Sequence, residues 1–349
     1  MLTYKEFEVL RGIMKLSGSS DAAGSIYAGT RYRVFKSADE VRELYGSLLV
    51  KGYADSNGVT KAGYEEIEPL RVENAVILAA GGADVSAKSV YSEPKGLFMK
   101  DGETLIERQI RQLKEAGIND ITVVVGYKQE RYFFLEDKWG VRLVINPDLR
   151  KNNIFSLYCA IDRLGSTYIC SCDNYFPENP FSGYEYNSFH ATVIKDNARN
   201  ELLVRKNESG RILEVYSGDK SGECLYGHAY IDRQLSARLV RYLRAEIEDF
   251  RTSALFWEEF VGRHADNLTM YARRYSSDFV YEFDTIQEIQ NISGLFLDNV
   301  SSRINEKICE VFRCGKSDIG DIRILQKGLS NILFTFAVCG SGETVRKLA

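Results

Sequence analysis

The sequence predicts an α/β protein whose main domain is built on a mixed, mainly parallel, doubly wound sheet. Two apolar runs, "NAVILAAGG" (74–82) and "INDITVVVGY" (118–127), are typical of strands that are covered on both faces. Between them, "TLIERQIRQLKEAG" (104–117) has the apolar spacing of an amphipathic helix and ends in glycine. The three segments together predict a β-α-β unit, the building block of a parallel sheet.

The same alternation of helix and strand patterns continues to residue 176. It predicts helices in "ERYFFLEDKWG" (130–140) and "IFSLYCAIDRLG" (154–165), and strands in "VRLVINP" (141–147) and "STYICSCDNYF" (166–176). Ligands of such sheets bind at the carboxyl ends of the strands, so we expect the site there. Residues 185–290 predict further strands and helices that extend this domain toward a second substrate.

Residues 1–70 predict a smaller, winged helix-turn-helix-like domain. Thr3 with Glu6, and Ser37 with Glu40, have the spacing of capping boxes that open two amphipathic helices. The pair Asn57-Gly58 supplies the turn of a tight hairpin after them. This segment contains nine Lys and Arg residues and ten Asp and Glu residues. It therefore has no net positive charge, which argues against DNA binding. A scaffold or regulatory role is favoured.

The composition argues against several classes of protein: general nucleic-acid binders, membrane proteins, disulfide-rich proteins and zinc proteins. A net charge of −4 gives the 349-residue chain no general attraction to nucleic acid or to anionic membranes. No run of 18 apolar residues predicts a membrane span, and seven cysteines form no disulfide framework. Cys170 and Cys172 have the spacing of alternate strand residues rather than of a metal pair. We expect a cytoplasmic protein without a membrane partner; its composition is compatible with a homodimer.

Four blocks between residue 73 and about residue 290 resemble the bacterial CTP:phosphocholine cytidylyltransferase family, which includes relatives acting on 2-aminoethylphosphonate. They are "ILAAG" with the later "PKGL", "NPDLRKNNIFSLYCA", "YICSCDNYF", and "FWEEF" with the later "VYEFDTIQEI". The resemblance implies a Rossmann-like nucleotidyltransferase fold over residues 73–292. It also implies transfer of CMP from CTP to phosphocholine, phosphoethanolamine or 2-aminoethylphosphonate, with release of pyrophosphate.

The flanking segments have resemblances of their own. Residues 1–70 resemble winged-helix modules that precede some bacterial cytidylyltransferases. Residues 293–349 predict a linker helix and then two antiparallel strands around "GLSN", which resemble the incomplete start of a choline-kinase-like lobe. The segment has no room for a kinase catalytic loop, so no kinase activity is predicted.

The predicted nucleotide site combines a glycine turn with polar side chains. Glycines after the first strand let backbone N–H groups approach a triphosphate. Lys95, after Pro94, offers a cation where charge builds as pyrophosphate leaves. The amides of Asn152 and Asn153 can contact cytosine or ribose, or one of them can cap a helix. The predicted nucleotide-binding residues are Ala79, Ala80, Gly81, Gly82, Lys88, Asn152, Asn153 and Ser156.

The predicted metal and acceptor sites consist of carboxylates and aromatic rings. Asp173 follows a predicted strand, where a Mg²⁺ ligand is expected. The resemblance implies Asp173 and Asp284 as the Mg²⁺ pair, Lys95 and Asp173 as the catalytic residues, and Glu282 near the acceptor amine. Aromatic faces attract an ammonium group, and a carboxylate neutralises it. The predicted acceptor-binding residues are Tyr226, Tyr230, Trp257, Glu258 and Glu282.

The glycine turn departs from the family pattern of glycine-x-glycine-x-arginine. Here the positions are Gly81-Gly82-Ala83-Asp84-Val85, so alanine replaces the second glycine and valine replaces the arginine. An aspartate at an anion site opposes triphosphate binding unless Lys88 or a metal offsets its charge. An alternative therefore remains: a catalytically impaired binding or regulatory relative with DNA contact through the N-terminal domain.

Overall fold

The computed structural model describes most of the chain in two compact units. The described residues are 2–16, 21–30, 32, 34–81, 94–100, 102–196, 201–283 and 309–315, with the backbone of strands at 319–327, 332–338 and 347–348. The first unit comprises residues 1–81 and 106–282, and the second comprises 82–105 and 283–349. Gly82, Lys88 and Asp284 lie outside the described residues.

The first unit contains a mixed sheet of nine strands. They are β3 (Asn74–Ala79), β6 (Asp120–Val125), β7 (Arg142–Ile145), β8 (Thr167–Ser171), β10 (Phe189–Lys195), β11 (Glu201–Lys206), β12 (Ile212–Gly218), β13 (Gly222–Ile231) and β14 (Tyr271–Arg274). Seven follow the order β12-β11-β13-β8-β3-β6-β7, and β10 lies between β13 and β14. The four neighbouring strands β8, β3, β6 and β7 are parallel, and β7 forms an edge of the sheet, which confirms the predicted fold class.

Helices cover this sheet and form its core. They are α5 (Leu105–Glu115), α6 (Phe134–Trp139), α7 (Asn153–Cys159), α8 (Arg233–Glu246), α9 (Phe250–Ser253) and α10 (Trp257–Arg263). Leu239 of α8 and Phe260 of α10 are fully buried in one apolar cluster with Val76 of β3. The β-α-β unit predicted from the apolar runs is confirmed. Within the part of the chain that is described, no helix is both long and apolar enough to cross a bilayer.

The N-terminal residues fold into helices followed by a short hairpin. The elements are α1 (Tyr4–Lys15), α2 (Ala22–Gly29), α3 (Ala38–Val50), β1 (Ala54–Asp55), β2 (Gly58–Val59) and α4 (Lys61–Ile67). Thr3 and Glu6 form the predicted capping box. Ser37 caps α3, but the Glu40 carboxylate accepts from the Lys36 backbone N–H instead. The two predicted helices and the hairpin are confirmed, whereas α2 was not predicted.

This N-terminal part belongs to the same compact unit as the large sheet. Its core residues, including Phe7, Leu10 and Leu48, form an apolar cluster that also contains Tyr184. Tyr184 belongs to the segment between β8 and β10, so the helices pack directly on the sheet domain. A winged-helix identity for residues 1–70 remains a prediction.

The second unit contains two small antiparallel arrangements. The first pairs β4 (Met99–Lys100) with β5 (Glu103–Thr104). The second consists of β16 (Ile319–Lys327), β17 (Ile332–Val338) and β18 (Lys347–Leu348). The antiparallel pairing of β16 with β17 confirms the two strands predicted around "GLSN". Their relation to a choline-kinase-like lobe remains a prediction.

Gly262 allows α10 to approach β12 closely. A Cβ atom at Gly262 would lie 2.7 Å from Val215 Cβ and 2.8 Å from the Val215 backbone nitrogen. We expect Gly262→Ala to lower the free energy of unfolding by about 1–3 kcal/mol through overpacking. Gly46 in α3 is the control, because a Cβ there meets nothing within 4 Å. Gly46→Ala should raise the free energy of unfolding by about 0.5–1 kcal/mol. Urea denaturation measures both variants, and an equal change in the free energy of unfolding for the two would contradict the close approach at Gly262.

Candidate functional site

The strands β3 and β8 end side by side at one edge of the sheet. Leu78 lies opposite Ser171 in their parallel register, and the Cys172 N–H donates to the Leu78 carbonyl at 3.1 Å. Gly81 follows β3, and Asp173 follows β8. The chain therefore brings the start of the glycine turn and the predicted metal ligand to the same edge, as the parallel topology predicts. Ala79 and Ala80 precede this edge and are buried.

Asp173 lies in a tight turn that hydrogen bonds hold in place. Its side chain is 7% exposed, and its Oδ1 accepts from Ser171 Oγ at 2.6 Å. Gln109 Nε2, from α5, donates to the Ser171 carbonyl at 2.9 Å and to the Asn174 carbonyl at 2.8 Å. The orientation of the Asp173 carboxylate is therefore set by the turn and by a neighbouring hydroxyl.

Glu282 lies on a short strand next to this turn. The strands β9 (Asn174–Tyr175) and β15 (Tyr281–Glu282) are antiparallel and place Glu282 opposite Asn174. The Tyr226 hydroxyl accepts from the Glu282 N–H at 3.1 Å. Burial raises the pKa of Tyr226 above its ordinary value, and the charges of Glu282 and Asp173 raise it further. The structure thus brings Asp173, Tyr226 and Glu282 together.

A lysine that was not predicted joins this group. Lys195 Nζ lies 3.6 Å from the centre of the Tyr226 ring and 2.5 Å from Glu201 Oε1. Lys195 ends β10, where the sequence shows only a lysine after an apolar run. No pattern in the sequence indicates that such a residue folds back onto an aromatic ring of another strand.

Asn152 and Asn153 connect the start of α7 with α9 and α10. Asn152 caps α7, since its Oδ1 accepts from the Asn153 N–H, and its Nδ2 donates to the Ala254 carbonyl at 3.1 Å. Asn153 Oδ1 accepts from the Trp257 N–H at 2.8 Å, and its Nδ2 donates to Glu258 Oε2 at 3.3 Å. Helix capping by Asn152 is confirmed. Asn152 also holds the end of α9 against α7, and Asn153 holds the start of α10 against α7.

Trp257 and Glu258 have different environments at the start of α10. Trp257 is 2% exposed and stacks on His190, with ring centres 5.8 Å apart. Glu258 retains 15% exposure of its side chain, and its Oε1 lies 3.8 Å from His190 Nε2. The Glu258 carboxylate is therefore partly accessible to a ligand, whereas the Trp257 ring belongs to the apolar core. Ser156 is buried and accepts from Asn146 Nδ2 at 3.0 Å.

Of the remaining predicted residues, Tyr230 lies away from Tyr226 on the same sheet, and Lys95 belongs to the second unit. Tyr230 pairs with Tyr168 near the start of β8, is 1% exposed and packs edge-on against the Tyr168 ring. Residues four apart on a strand are about 13 Å apart, so the structure does not bring Tyr230 to Tyr226. Lys95 begins a short 3-10 helix, Lys95–Leu97, in the second unit.

The donor atoms at the sheet edge suit a hard divalent cation. Among the described residues, no group of three or more His, Cys, Asp and Glu side chains has the arrangement of a metal cage. Asp173 and Glu282 offer carboxylate oxygens only. Mg²⁺ is commonly held by one or two protein carboxylates together with waters and phosphate oxygens. This donor set therefore fits Mg²⁺, and the contribution of Asp284 remains a prediction.

Comparison with known proteins relates this architecture to a family. Residues 75–233 match the MobA-like NTP transferase domain. The choline-phosphate cytidylyltransferase of Streptococcus pneumoniae is 30% identical over 63% of this chain and 97% of its own length. The 2-aminoethylphosphonate cytidylyltransferase of Lancefieldella rimae is also 30% identical, over 62% of this chain and 90% of its own length.

A solved structure agrees with these relatives. The structure of CTP:phosphocholine cytidylyltransferase from Streptococcus pneumoniae superimposes with a TM-score of 0.58 at 30% identity, and the match covers 65% of this chain and 99% of that protein. A thymidylyltransferase-like structure from Bacillus anthracis, 16% identical with a TM-score of 0.52, shares the fold. The chain therefore belongs to the choline-phosphate and 2-aminoethylphosphonate cytidylyltransferase family of nucleotidyltransferases.

Proposed function

We propose that this protein transfers CMP from CTP to a small phosphorylated amino alcohol or aminophosphonate and releases pyrophosphate. The observation that carries the proposal is the position of Asp173, at the sheet edge where Gly81 begins the glycine turn and beside Glu282. The activities of the pneumococcal and Lancefieldella relatives support this reaction class.

In the proposed reaction an anionic oxygen of the acceptor attacks the α-phosphorus of CTP. The bond between the α-phosphorus and the bridging oxygen breaks, and its electron pair leaves with pyrophosphate. The acceptor phosphate or phosphonate is ionised near neutral pH, so no side chain needs to remove a proton. The protein therefore has to align the two anions and neutralise their charge.

Charge neutralisation is proposed to depend on two carboxylates with a bound metal ion and on lysine side chains. Asp173 and Asp284 would hold Mg²⁺, which supplies positive charge to the phosphate oxygens. Lys95 is proposed to contact the phosphates as pyrophosphate leaves, and Gly81 with Gly82 to admit them to the turn. Lys88 is proposed to offset the charge of Asp84.

Nucleoside and acceptor are proposed to bind next to these phosphates. The start of α7, with Asn152 and Asn153, is proposed to contact the nucleoside. Glu258 and Glu282 are proposed to neutralise the acceptor amine, with Tyr226 supplying an aromatic face. A half-buried carboxylate attracts an ammonium group more strongly than a carboxylate in bulk water does, because the effective dielectric constant around it is lower.

Pyrophosphate release tests the proposed function. CTP, UTP and ATP are each incubated with Mg²⁺ and phosphocholine, phosphoethanolamine or 2-aminoethylphosphonate. We expect release with CTP and at least one of these acceptors. Absence of turnover with every acceptor, together with no thermal shift from CTP and Mg²⁺, would overturn the proposal in favour of an impaired, regulatory relative.

Glu258→Gln is expected to weaken acceptor binding selectively. Removing the charge that faces an ammonium group should raise the KM for the acceptor about 10-fold, since such a charged hydrogen bond contributes about 1.5–3 kcal/mol. The KM for CTP should change less than about 2-fold, because the amide oxygen of the new glutamine can still accept from Asn153 Nδ2. Glu214→Gln, at an exposed ion pair with Arg205, is the control. An unchanged acceptor KM would contradict the role of Glu258.

A further inference from the structure

We infer that Gln109 is a positioning residue that holds the turn carrying Asp173 in the conformation needed for metal binding. The inference rests on the proposed role of Asp173 as a metal ligand. Gln109 contacts neither nucleotide nor acceptor in this scheme, and it acts through the backbone on either side of Asp173.

The amide nitrogen of Gln109 bridges the two ends of this turn. Its two N–H bonds are directed to the carbonyl two residues before Asp173, at 2.9 Å, and to the carbonyl one residue after it, at 2.8 Å. Neither peptide group can rotate without losing a bond to the same amide. Ser171 Oγ then fixes the carboxylate itself at 2.6 Å. Backbone and rotamer of Asp173 are thus constrained separately.

Neighbouring side chains of α5 hold the segment that follows. Arg108 Nε donates to the Phe176 carbonyl at 2.8 Å and Arg108 Nη2 to the Pro177 carbonyl at 2.7 Å. Gln112 Nε2 donates to the Phe176 carbonyl at 3.1 Å. These bonds attach the chain beyond β9 to α5. Gln109 has bonds on both sides of Asp173, whereas Gln112 donates to a carbonyl three residues beyond it.

The burial of Gln109 argues for a geometric role. Its side chain has 0% exposure, and within the described part of the chain its Oε1 has no hydrogen-bond partner. Burial of an unpaired acceptor costs free energy that an apolar side chain of similar size would avoid. Polar residues that break such a local packing rule are expected at functional sites. The two bonds from Gln109 across the Asp173 turn explain why a buried glutamine occupies this position.

A fixed carboxylate binds a metal more tightly than one that must first be ordered. Groups that orient metal ligands typically change metal affinity or activity about 10–100-fold when removed. Loss of the two Gln109 bonds should therefore mainly raise the metal concentration needed for half-maximal turnover. The affinity for CTP at saturating metal should change much less.

The experiment compares Gln109→Leu with the wild-type protein, with Gln112→Leu as the matched control from the same helix. The half-saturating Mg²⁺ concentration for turnover should rise about 10–100-fold in Gln109→Leu. Affinity for Mn²⁺ in the presence of CTP, measured by electron paramagnetic resonance, should fall in parallel. The KM for CTP at saturating Mg²⁺ should stay within about 2-fold, and excess Mg²⁺ should restore turnover. Gln112→Leu should keep the wild-type metal dependence.

Each outcome bears on the inference. Wild-type Mn²⁺ affinity in Gln109→Leu, alongside its loss in Asp173→Ala, would overturn the positioning role and leave the proposed function intact. Equal shifts in Gln109→Leu and Gln112→Leu would also overturn it, because a general loosening of α5 would then explain both. A wild-type protein that binds no Mn²⁺ with CTP would overturn the proposed function as well. Gln109→Met, which keeps the length of the side chain, replaces Gln109→Leu if that variant does not fold.

Discussion

Replacement of Asp173 by alanine is expected to reduce kcat about 1,000-fold while the protein remains folded. A metal ion stabilises developing charge by several kcal/mol, and each 1.36 kcal/mol corresponds to about tenfold in rate. Asp173 belongs to a turn rather than to the apolar core, and its Oδ1 accepts from the side chain of Ser171. Single-turnover formation of pyrophosphate with saturating CTP and acceptor measures the effect.

A matched exposed carboxylate separates this effect from a change in overall charge. Asp162, whose side chain is 81% exposed and paired with Arg244, should give nearly wild-type rates when replaced by alanine. Asp173→Asn keeps the shape but removes the charge, so it should behave like Asp173→Ala. Wild-type rates in Asp173→Ala would contradict the metal assignment, whatever the stability of the variant.

The strands of the main sheet could be predicted because they are buried on both faces. The apolar run of β3 has no polar interruption and that of β6 is broken by the small residue Thr122, so composition and length indicate strands without knowledge of the fold. The capping box at Thr3 and Glu6 is equally local, since all its partners lie within four residues. The position of Asp173 could be predicted for the same reason, since it follows a recognisable strand; its role as a metal ligand stays a prediction.

Features that depend on distant partners could not be predicted. β14 contains the adjacent arginines Arg273 and Arg274, which no strand pattern includes, and it is ordered by pairing with β10 and by buried glutamates. Gln109 lies on a helix that was predicted, yet glutamine is usually exposed, so its inward direction is invisible in the sequence.

The separation of Tyr226 from Tyr230 has a local cause in β13. Tyr226 and Tyr230 have even spacing on β13, which places them on one face of a regular strand. Gly227 between them has φ of +102°, a left-handed conformation, and the register of β13 with β10 shifts in the same region. Tyr226 consequently meets Glu282, whereas Tyr230 joins the core around Tyr168.

A buried ion network holds α1 against the sheet, and Glu185 is at its centre. The Glu185 side chain is 1% exposed and accepts from Arg11 at 3.1 Å, from Arg273 at 2.8 Å and from the Tyr168 hydroxyl at 2.6 Å. Burial raises the pKa of Glu185, but the charges of Arg273 and Arg11 outweigh it and lower the pKa to about 2. The Glu185 carboxylate therefore stays ionised in the core, because the positive charges of the two guanidinium groups stabilise it.

Glu185→Gln is expected to lower the free energy of unfolding by about 3–5 kcal/mol near neutral pH, since it leaves buried arginine charge uncompensated. Glu214→Gln, at an ion pair whose side chains are 61% and 50% exposed, should cost less than about 1 kcal/mol. A carboxyl with a lowered folded-state pKa stabilises the protein above its unfolded pKa of 4.5, and this contribution is lost as the pH falls toward 2. The difference between wild type and Glu185→Gln in urea denaturation should therefore shrink across that range. A small, pH-independent difference would mean that α1 is held by its apolar contacts alone.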